Sequence, residues 1–583
     1  MSKKGSLNLS ANELQSLLLV SKGEQRGDLL LRGGKVVNVF TRELLDCDIA
    51  IYRNRIAGIN SYKDCRRKIN CKGLYLLPGF IDGHIHLEST HLTPVQFARS
   101  VSPHGTTAVM IDPHEIANVS GLTGINWLIR ATKNLPLDFF FMVPSSVPAS
   151  SMEKAAAVLN SSHVKHLMNK PRVLGLAEVM DLSGILKGKR EVLKKVLAAR
   201  DYRIDGHAPL LSGSSLNAYI AAGISSDHES TSYKEAVEKL RLGMFIMIRE
   251  GSLARDMHNL LKLNSPLISE RSFFVSDDLL PQDISEEGHM NRILRRAVAL
   301  GLDPLKAVCM VSLNTANYFG LNYRGGIAPG YIADIVAVED LKDFRVRWVM
   351  KEGSFVVRNK KSCVSLKEIP PPAQLGRSMR AIQISRRDLK ISPRAGYIRV
   401  IGLISNSLVT RSLKLKPKVT NGEVTADPGR DILKLVVHDR HSRSKDTAVG
   451  FVKGLTIKNG AMASTVAHDT HNLIAAGTDD NDIERAINHL IFIGGGMVVV
   501  NKGRILADLP LPIGGLLSNK TAAWIIQRMK KLDDILRQLG TILPHPFITL
   551  SFLSLSVIPE LKMTVRGLVD VKRGKAVNLF YDD

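Results

Sequence analysis

Between residues 78 and 330 the chain alternates apolar, strand-like runs with helical patterns, and this rhythm constrains its fold more than any other feature. Eight runs can be counted, at 79–88, 106–112, 138–144, 172–180, 203–208, 222–229, 243–250 and 272–278. Strands separated by helices pair in parallel, because each crossover returns the chain to the same end of the sheet. Eight such units predict an α/β fold, a closed (β/α)8 barrel of the TIM type. Nearly every run ends in polar residues: His84 and His86, then His114 and Glu115, Glu178, His207, His228 and Glu229, Arg249 and Glu250, Asp277 and Asp278. Barrel enzymes build their sites at the C-terminal ends of the strands. A barrel with no chemistry to perform has no use for such a ring, since a buried polar group left unpaired costs on the order of several kcal/mol.

His84 and His86 stand two apart, so on a strand both point to one face. A divalent metal needs more than two imidazoles, and later strand ends supply Glu178, His207, His228 and Asp277. Taken singly, His207 or His228 reads as a hydrogen-bonded structural histidine, Asp277-Asp278 as a helix cap, and Glu178 as the partner of a lysine. Six candidates at the ends of five runs are hard to produce as unrelated core residues. Four histidines and two carboxylates suit two metals that share a bridging carboxylate. Glu178 is the natural bridge, because its strand lies between the two histidine groups.

The flanks are strand-rich. Runs at 28–32, 35–39, 48–52 and 55–59, and again at 335–338, 346–350 and 354–357, predict a small β-sandwich built from both sides of the barrel. The expected organisation is 1–77 as lead-in helix and first part of the small β domain, 78–330 as barrel, and 331–363 as return strands. Residues 364–390, with three consecutive prolines, read as a linker, and 391–583 as a C-terminal α+β domain. No apolar run reaches the ~18 residues of a membrane span, and residues 1–27 do not have the pattern of a signal peptide. Five cysteines, an odd number with no C-x-x-C spacing, argue against a disulfide framework and for reduced thiols in a cytoplasmic protein. The net charge of +24 raises the possibility of a nucleic-acid binder. Against it, the basic residues are dispersed and aromatics make up only 5%, too few for a base-stacking platform.

The segment Pro78-Gly-Phe-Ile-Asp-Gly-His-Ile-His-Leu-Glu-Ser89 resembles the opening motif of the amidohydrolase superfamily in its adenine deaminase form. Further stretches are similar: Asp112-Pro-His-Glu-Ile-Ala-Asn-Val-Ser-Gly121, Gly175-Leu-Ala-Glu-Val-Met180, Asp205-Gly-His-Ala-Pro209, Asp227-His-Glu-Ser230, Ile248-Arg-Glu-Gly-Ser252 and Ser276-Asp-Asp278. The likeness continues beyond the barrel in His468-Asp-Thr-His-Asn472 and Leu550-Ser-Phe-Leu553. Thr90 and Thr470 stand where the family pattern has serine, and each keeps a hydroxyl. The resemblance implies hydrolytic deamination of adenine, a binuclear Mn2+ or Fe2+ site, and Glu178 in the bridging position.

On that footing the metal ligands are His84, His86, Glu178, His207, His228 and Asp277. The metals supply hydroxide, and Asp277 carries its proton to the leaving ammonia. Glu115, Glu229 and Glu250 are the candidates to protonate the purine ring, and Arg249 holds a loop or a carboxylate. His468 and His471 are expected to be structural or to cover the site. The expected partner is the small molecule adenine, with no membrane and no nucleic acid, in a homodimer suggested by the fold alone. Two alternatives stand beside this reading: another amidohydrolase acting on a cyclic amide or aminopurine, and a non-catalytic nucleic-acid-binding protein.

Overall fold

A computed structural model describes residues 9–62, 65–261, 270–404 and 407–581. Residues 1–8 of the expected lead-in lie outside the described residues, and the lead-in helix itself spans Ala11–Lys22.

The barrel strands, numbered here in chain order, are β1 (Phe80–Ile85), β2 (Thr106–Ile111), β3 (Asp138–Val143), β4 (Val173–Val179), β5 (Arg203–Gly206), β6 (Ser226–Asp227), β7 (Phe245–Arg249) and β8 (Ser272–Val275). β1 to β5 form one parallel sheet and β6 to β8 a second. The two meet where Ser225 N donates to Ile204 O at 2.9 Å. Gly206 permits that approach, since a Cβ there would stand 2.4 Å from Ser226 O. The other seam closes by a parallel bridge between Ile85 and Asp277. Asp277 N donates to His84 O at 3.0 Å, and the buried Asp82 accepts Ser276 N at 3.1 Å. β1, β2, β4 and β8 are buried along their whole length, as strands wrapped by helices outside and filled by side chains inside must be.

The flanking segments do share a sheet. Tyr75–Pro78 pairs in parallel with Lys35–Asn38 and antiparallel with Ile335–Val338, within a seven-stranded sheet. A four-stranded sheet of Gly27–Arg32, Asp48–Tyr52, Arg55–Asn60 and Cys65–Asn70 stacks on it through Leu31, Val36, Ile49, Trp348 and Met350. Among the described residues, none of this sandwich lines the cavity at the C-terminal strand ends.

Residues 364–390, read as a linker, run against the protein surface. Trp127 Nε1 donates to Ile369 O at 3.3 Å, Gly514 N to Leu375 O at 3.0 Å and Arg380 N to Arg440 O at 2.9 Å. The C-terminal region centres on an eight-stranded sheet of β9 (Ile398–Leu403), β10 (Thr410–Leu415), β11 (Ile432–His438), β12 (Thr447–Lys453), β13 (Ala461–Ser464), β14 (Leu473–Gly477), β15 (Gly496–Asn501) and β16 (Arg504–Pro510). Their order across the sheet is β10-β9-β12-β11-β14-β13-β15-β16. Its apolar side chains, Leu435, Val437 and Met462 among them, join Ile85, Val143 and Leu176 of the barrel in one cluster. Lys154, on the loop after β3, adds a polar clamp to Asp439 at 2.6 Å and Asp446 at 2.7 Å. The sheet therefore sits as a cap over the C-terminal end of the barrel. Among the described residues no helix is long and apolar enough to cross a membrane.

Candidate active site

All six expected metal ligands converge at the mouth of the barrel, and all are buried. Glu178, at the end of β4, stands between two pairs of imidazoles with one oxygen toward each. Its Oε1 lies 3.3 Å from His86 Nε2 and 3.9 Å from His84 Nε2. Its Oε2 lies 2.7 Å from His207 Nδ1 and 3.2 Å from His228 Nε2. Asp277 Oδ1 closes the first group, 3.1 Å from His86 Nε2 and 3.4 Å from His84 Nε2. Asp277 reaches this place from a left-handed backbone, φ 57°, a conformation that costs a non-glycine residue about 1–3 kcal/mol and recurs at functional sites.

The donor set fits a divalent cation. Donor-to-donor spacings of 3.1–3.4 Å around His84, His86 and Asp277 are those of atoms sharing one ion at ~2.0–2.2 Å. The far side of the rings agrees. His86 Nδ1 lies 3.2 Å from the carbonyl of Asp112, which only accepts. That nitrogen therefore carries the hydrogen, and the lone pair of Nε2 faces inward.

The electrostatics point the same way. Burial alone would raise the Glu178 carboxyl, but His228, His207 and His86 hold it well below the usual range. Burial also opposes ionisation of Asp277, and His84, His86 and Arg249 beside it hold its carboxyl well below the usual range. Arg249 is itself fully enclosed, its Nη2 donating to Glu229 Oε2 at 3.2 Å, Nη1 to Asp277 Oδ2 at 3.1 Å and Nε to Asp256 Oδ2 at 3.2 Å. It keeps Glu229 ionised against burial.

The other expected residues separate. Glu229 is at the site, with Oε1 3.4 Å from His228 Nε2, but its carboxylate is committed to Arg249. Glu115 is buried and turned toward the cap, and it does not line the central cavity. Glu250 points to the outside of the barrel, 2.9 Å from Arg296 Nη1.

His114 and Asp278, named among the strand-end residues without a role, also stand beside the site. His114 Nδ1 donates to Asp112 Oδ2 at 2.9 Å and lies 3.5 Å from Glu178 Oε1. Its position just after β2, matching that of His86 after β1, is the signal that could have placed it there. Asp278, Met180 and a lid from the cap (Leu408, His468, Asp469, Phe552, Leu555 and Ile558) complete the cavity wall. His468, expected to be structural or to cover the site, lines this wall, and Asp469 and Phe552 lie in the family-like stretches beyond the barrel; Leu408 and Leu555 carry no local signal. The central space is only about 20 Å³, room for about one water. A chamber of about 600 Å³ adjoins it, sharing Glu229, Arg249, Leu408 and Ile558 as a common wall.

Comparison with known proteins accords with this architecture. An amidohydrolase family pattern matches residues 75–356, and an adenine deaminase C-terminal domain pattern matches 407–575. An adenine deaminase of Kosmotoga olearia is 43% identical over 97% of this chain and 98% of that one. Adenine deaminase 2 of Carboxydothermus hydrogenoformans is 44% identical over 96% of this chain and 98% of its own. Among solved structures, a β-aspartyl dipeptidase of Fervidobacterium islandicum aligns at 16% identity and TM-score 0.45, covering 58% of this chain and 99% of that one.

Proposed function

From a chain that belongs to the adenine deaminase family of amidohydrolases, we infer that the reaction is hydrolysis of adenine to hypoxanthine and ammonia. The observation that carries this reading is the joint match of both halves. A buried histidine–carboxylate site at the barrel mouth is roofed by a region that matches the adenine deaminase C-terminal domain, in a chain whose relatives match it nearly end to end.

Two divalent cations, manganese or iron, held by His84, His86 and Asp277 on one side and His207 and His228 on the other with Glu178 between them, would lower the pKa of a water and present it to the purine. The split of Glu178, one oxygen toward each histidine pair, supports two ions rather than one. Asp277 has one oxygen among the donors and the other fixed by Arg249, so its carboxylate is aimed into the cavity. It accepts the proton of the attacking water and passes it to the exocyclic nitrogen as ammonia leaves. Arg249 cannot donate usefully; it orients Asp277 and Glu229. The apolar lid of Leu408, Phe552, Leu555 and Ile558 supplies the flat surface a purine ring needs and excludes bulk water. A purine does not fit the ~20 Å³ space as it stands. Substrate therefore reaches the site as the lid parts from the neighbouring 600 Å³ chamber. A cytoplasmic homodimer accompanies this proposal, to be checked by fractionation and sedimentation velocity.

The test is ammonia release and the ultraviolet shift from adenine to hypoxanthine, with protein purified under iron-sparing conditions and loaded with manganese. Rapid turnover abolished by chelation is the expected outcome. Metal bound without turnover of adenine would overturn the substrate and turn attention to other aminopurines and cyclic amides.

A further inference from the structure

The hydrolysis leaves one proton transfer without an agent. As C6 becomes tetrahedral, ring nitrogen N1 must gain a hydrogen, which hypoxanthine then keeps. The three carboxylates expected for this work are poorly placed: Glu229 is bound to Arg249, Glu250 pairs with Arg296 outside the barrel, and Glu115 does not reach the cavity. The cap offers another group. His468 lies on the loop after β13 and lines the cavity opposite the metal-binding side chains. Its ring stacks on Phe552 with centroids 4.4 Å apart at 20°, and Ser554 Oγ donates to its carbonyl at 2.9 Å. The imidazole is thus fixed in place. Nδ1 faces Glu115 Oε1 at 3.3 Å. Among the described residues, Nε2 has no hydrogen-bonding partner.

The cluster of Glu115, His468 and His471 has the composition of a third metal site, but its hydrogen bonding argues otherwise. Ala467 N–H donates to His471 Nδ1 at 3.2 Å. A backbone N–H only donates, so Nδ1 is the bare nitrogen and Nε2 carries the hydrogen. That N–H points at Glu115 Oε2, 3.6 Å away. A neutral imidazole in this tautomer turns a hydrogen and not a lone pair toward the carboxylate, and at that distance the two do not hydrogen-bond. Ser89 Oγ, 3.1 Å from Glu115 Oε1 and 2.5 Å from Asp278 Oδ1, ties the same carboxylate to the end of β8.

We propose that His468 is a catalytic residue of the deamination, donating through Nε2 to purine N1, and that Glu115 and His471 are positioning residues that fix its tautomer and orientation. The role rests on the adenine reading above. The balance closes: His468 gives one proton to N1 and recovers one when the C6 hydroxyl collapses to the carbonyl. The two hydrogens of water end on N1 and on ammonia. The charges facing His468 favour its protonated form. Burial opposes that form, while Glu115, Asp278 and Asp469 outweigh burial and raise the group to about 9. Of the basic groups nearby, His471 and His91 are held neutral by burial, while His114 Nε2 shares Asp469 with His468, 3.4 Å from its Oδ1.

The test is the pH profile of kcat and kcat/KM for adenine with manganese-loaded protein, together with metal content and calorimetric binding of hypoxanthine. His468→Gln should keep about two metals per chain and lose roughly 10²-fold or more in kcat, the range of a general acid. The basic limb of its profile should disappear. Glu115→Gln should keep metal and shift that limb to lower pH, because the imidazolium loses its carboxylate. A His468→Gln enzyme with wild-type kcat and profile would overturn the proposal. So would a basic limb that survives His468→Gln and is removed by Asp278→Asn. Should His468→Gln fail to fold, an unshifted limb in Glu115→Gln overturns it instead. Wild-type protein that binds metal but ignores adenine overturns the substrate reading and the donor role with it.

Discussion

Glu178 and Glu115 are both buried carboxylates that face two or more histidines. Glu178 sits at the centre of the barrel mouth among His84, His86, His207 and His228; Glu115 sits at the seam with the cap, between His468 and His471. In composition and burial they are close to equivalent. They differ in what stands behind the rings. At the barrel, the carbonyl of Asp112 holds the hydrogen of His86 on the far nitrogen and turns a lone pair inward. At the seam, the amide of Ala467 takes the far lone pair of His471 and turns a hydrogen inward. One backbone group, acceptor in one case and donor in the other, leaves a lone pair facing Glu178 and a hydrogen facing Glu115.

The most direct way to break this comparison is to exchange the carboxylates for amides and count metals. Glu178→Gln should fall below two metals per chain by elemental analysis and lose ~10³-fold or more in turnover, whereas Glu115→Gln should retain both. Equal metal loss in the two variants would erase the distinction. Asp277→Asn comes next: metal should remain while kcat drops by about 10²–10⁴. Near-wild-type activity in that variant would remove Asp277 as proton carrier.

Smaller effects test the supports. Arg249→Met leaves Glu229, Asp256 and Asp277 without their shared cation, and metal-free protein should be destabilised by about 3–5 kcal/mol in thermal melts. Phe552→Ala removes the ring stacked on His468, at a cost of about 3 kcal/mol, and should raise KM for adenine while leaving metal content alone.

A separate effect, on the pH dependence of stability, concerns Lys562, whose Nζ is fully buried and donates to the carbonyls of the lid residues Leu408 at 2.8 Å and Phe552 at 3.0 Å. Burial pulls this amine down from 10.5 to about 7. Between those values the unfolded chain holds a proton that the folded chain lacks. Stability should therefore rise with pH across that window, by at most about 1.4 kcal/mol per pH unit. Lys562→Met should flatten the slope, and an unchanged slope in denaturant titrations would refute it.

The barrel was legible in the sequence because buried parallel strands are near-continuous apolar runs, and a side chain at the end of such a run has only one place to point. His84, His86, Glu178, His207, His228 and Asp277 follow from that rule. In the cap, β9, β11, β12 and β15 announce themselves through Val, Ile and Leu. β13 and β14, which read Ala-Met-Ala-Ser and Leu-Ile-Ala-Ala-Gly, lack that signal and yet occupy the middle of the sheet. Their strand character comes from neighbours on both sides, which no local pattern records.

Residue type and spacing along single strands were enough for the barrel, for the family and for bringing six candidate ligands to the strand ends. Only the tertiary structure decided which carboxylates face the cavity, which are tied to arginines, and that a histidine some 290 residues beyond Glu178 completes the wall. Such assignments depend on what lies behind a side chain as much as on the side chain itself. That background is assembled from segments that meet only when the cap closes over the barrel.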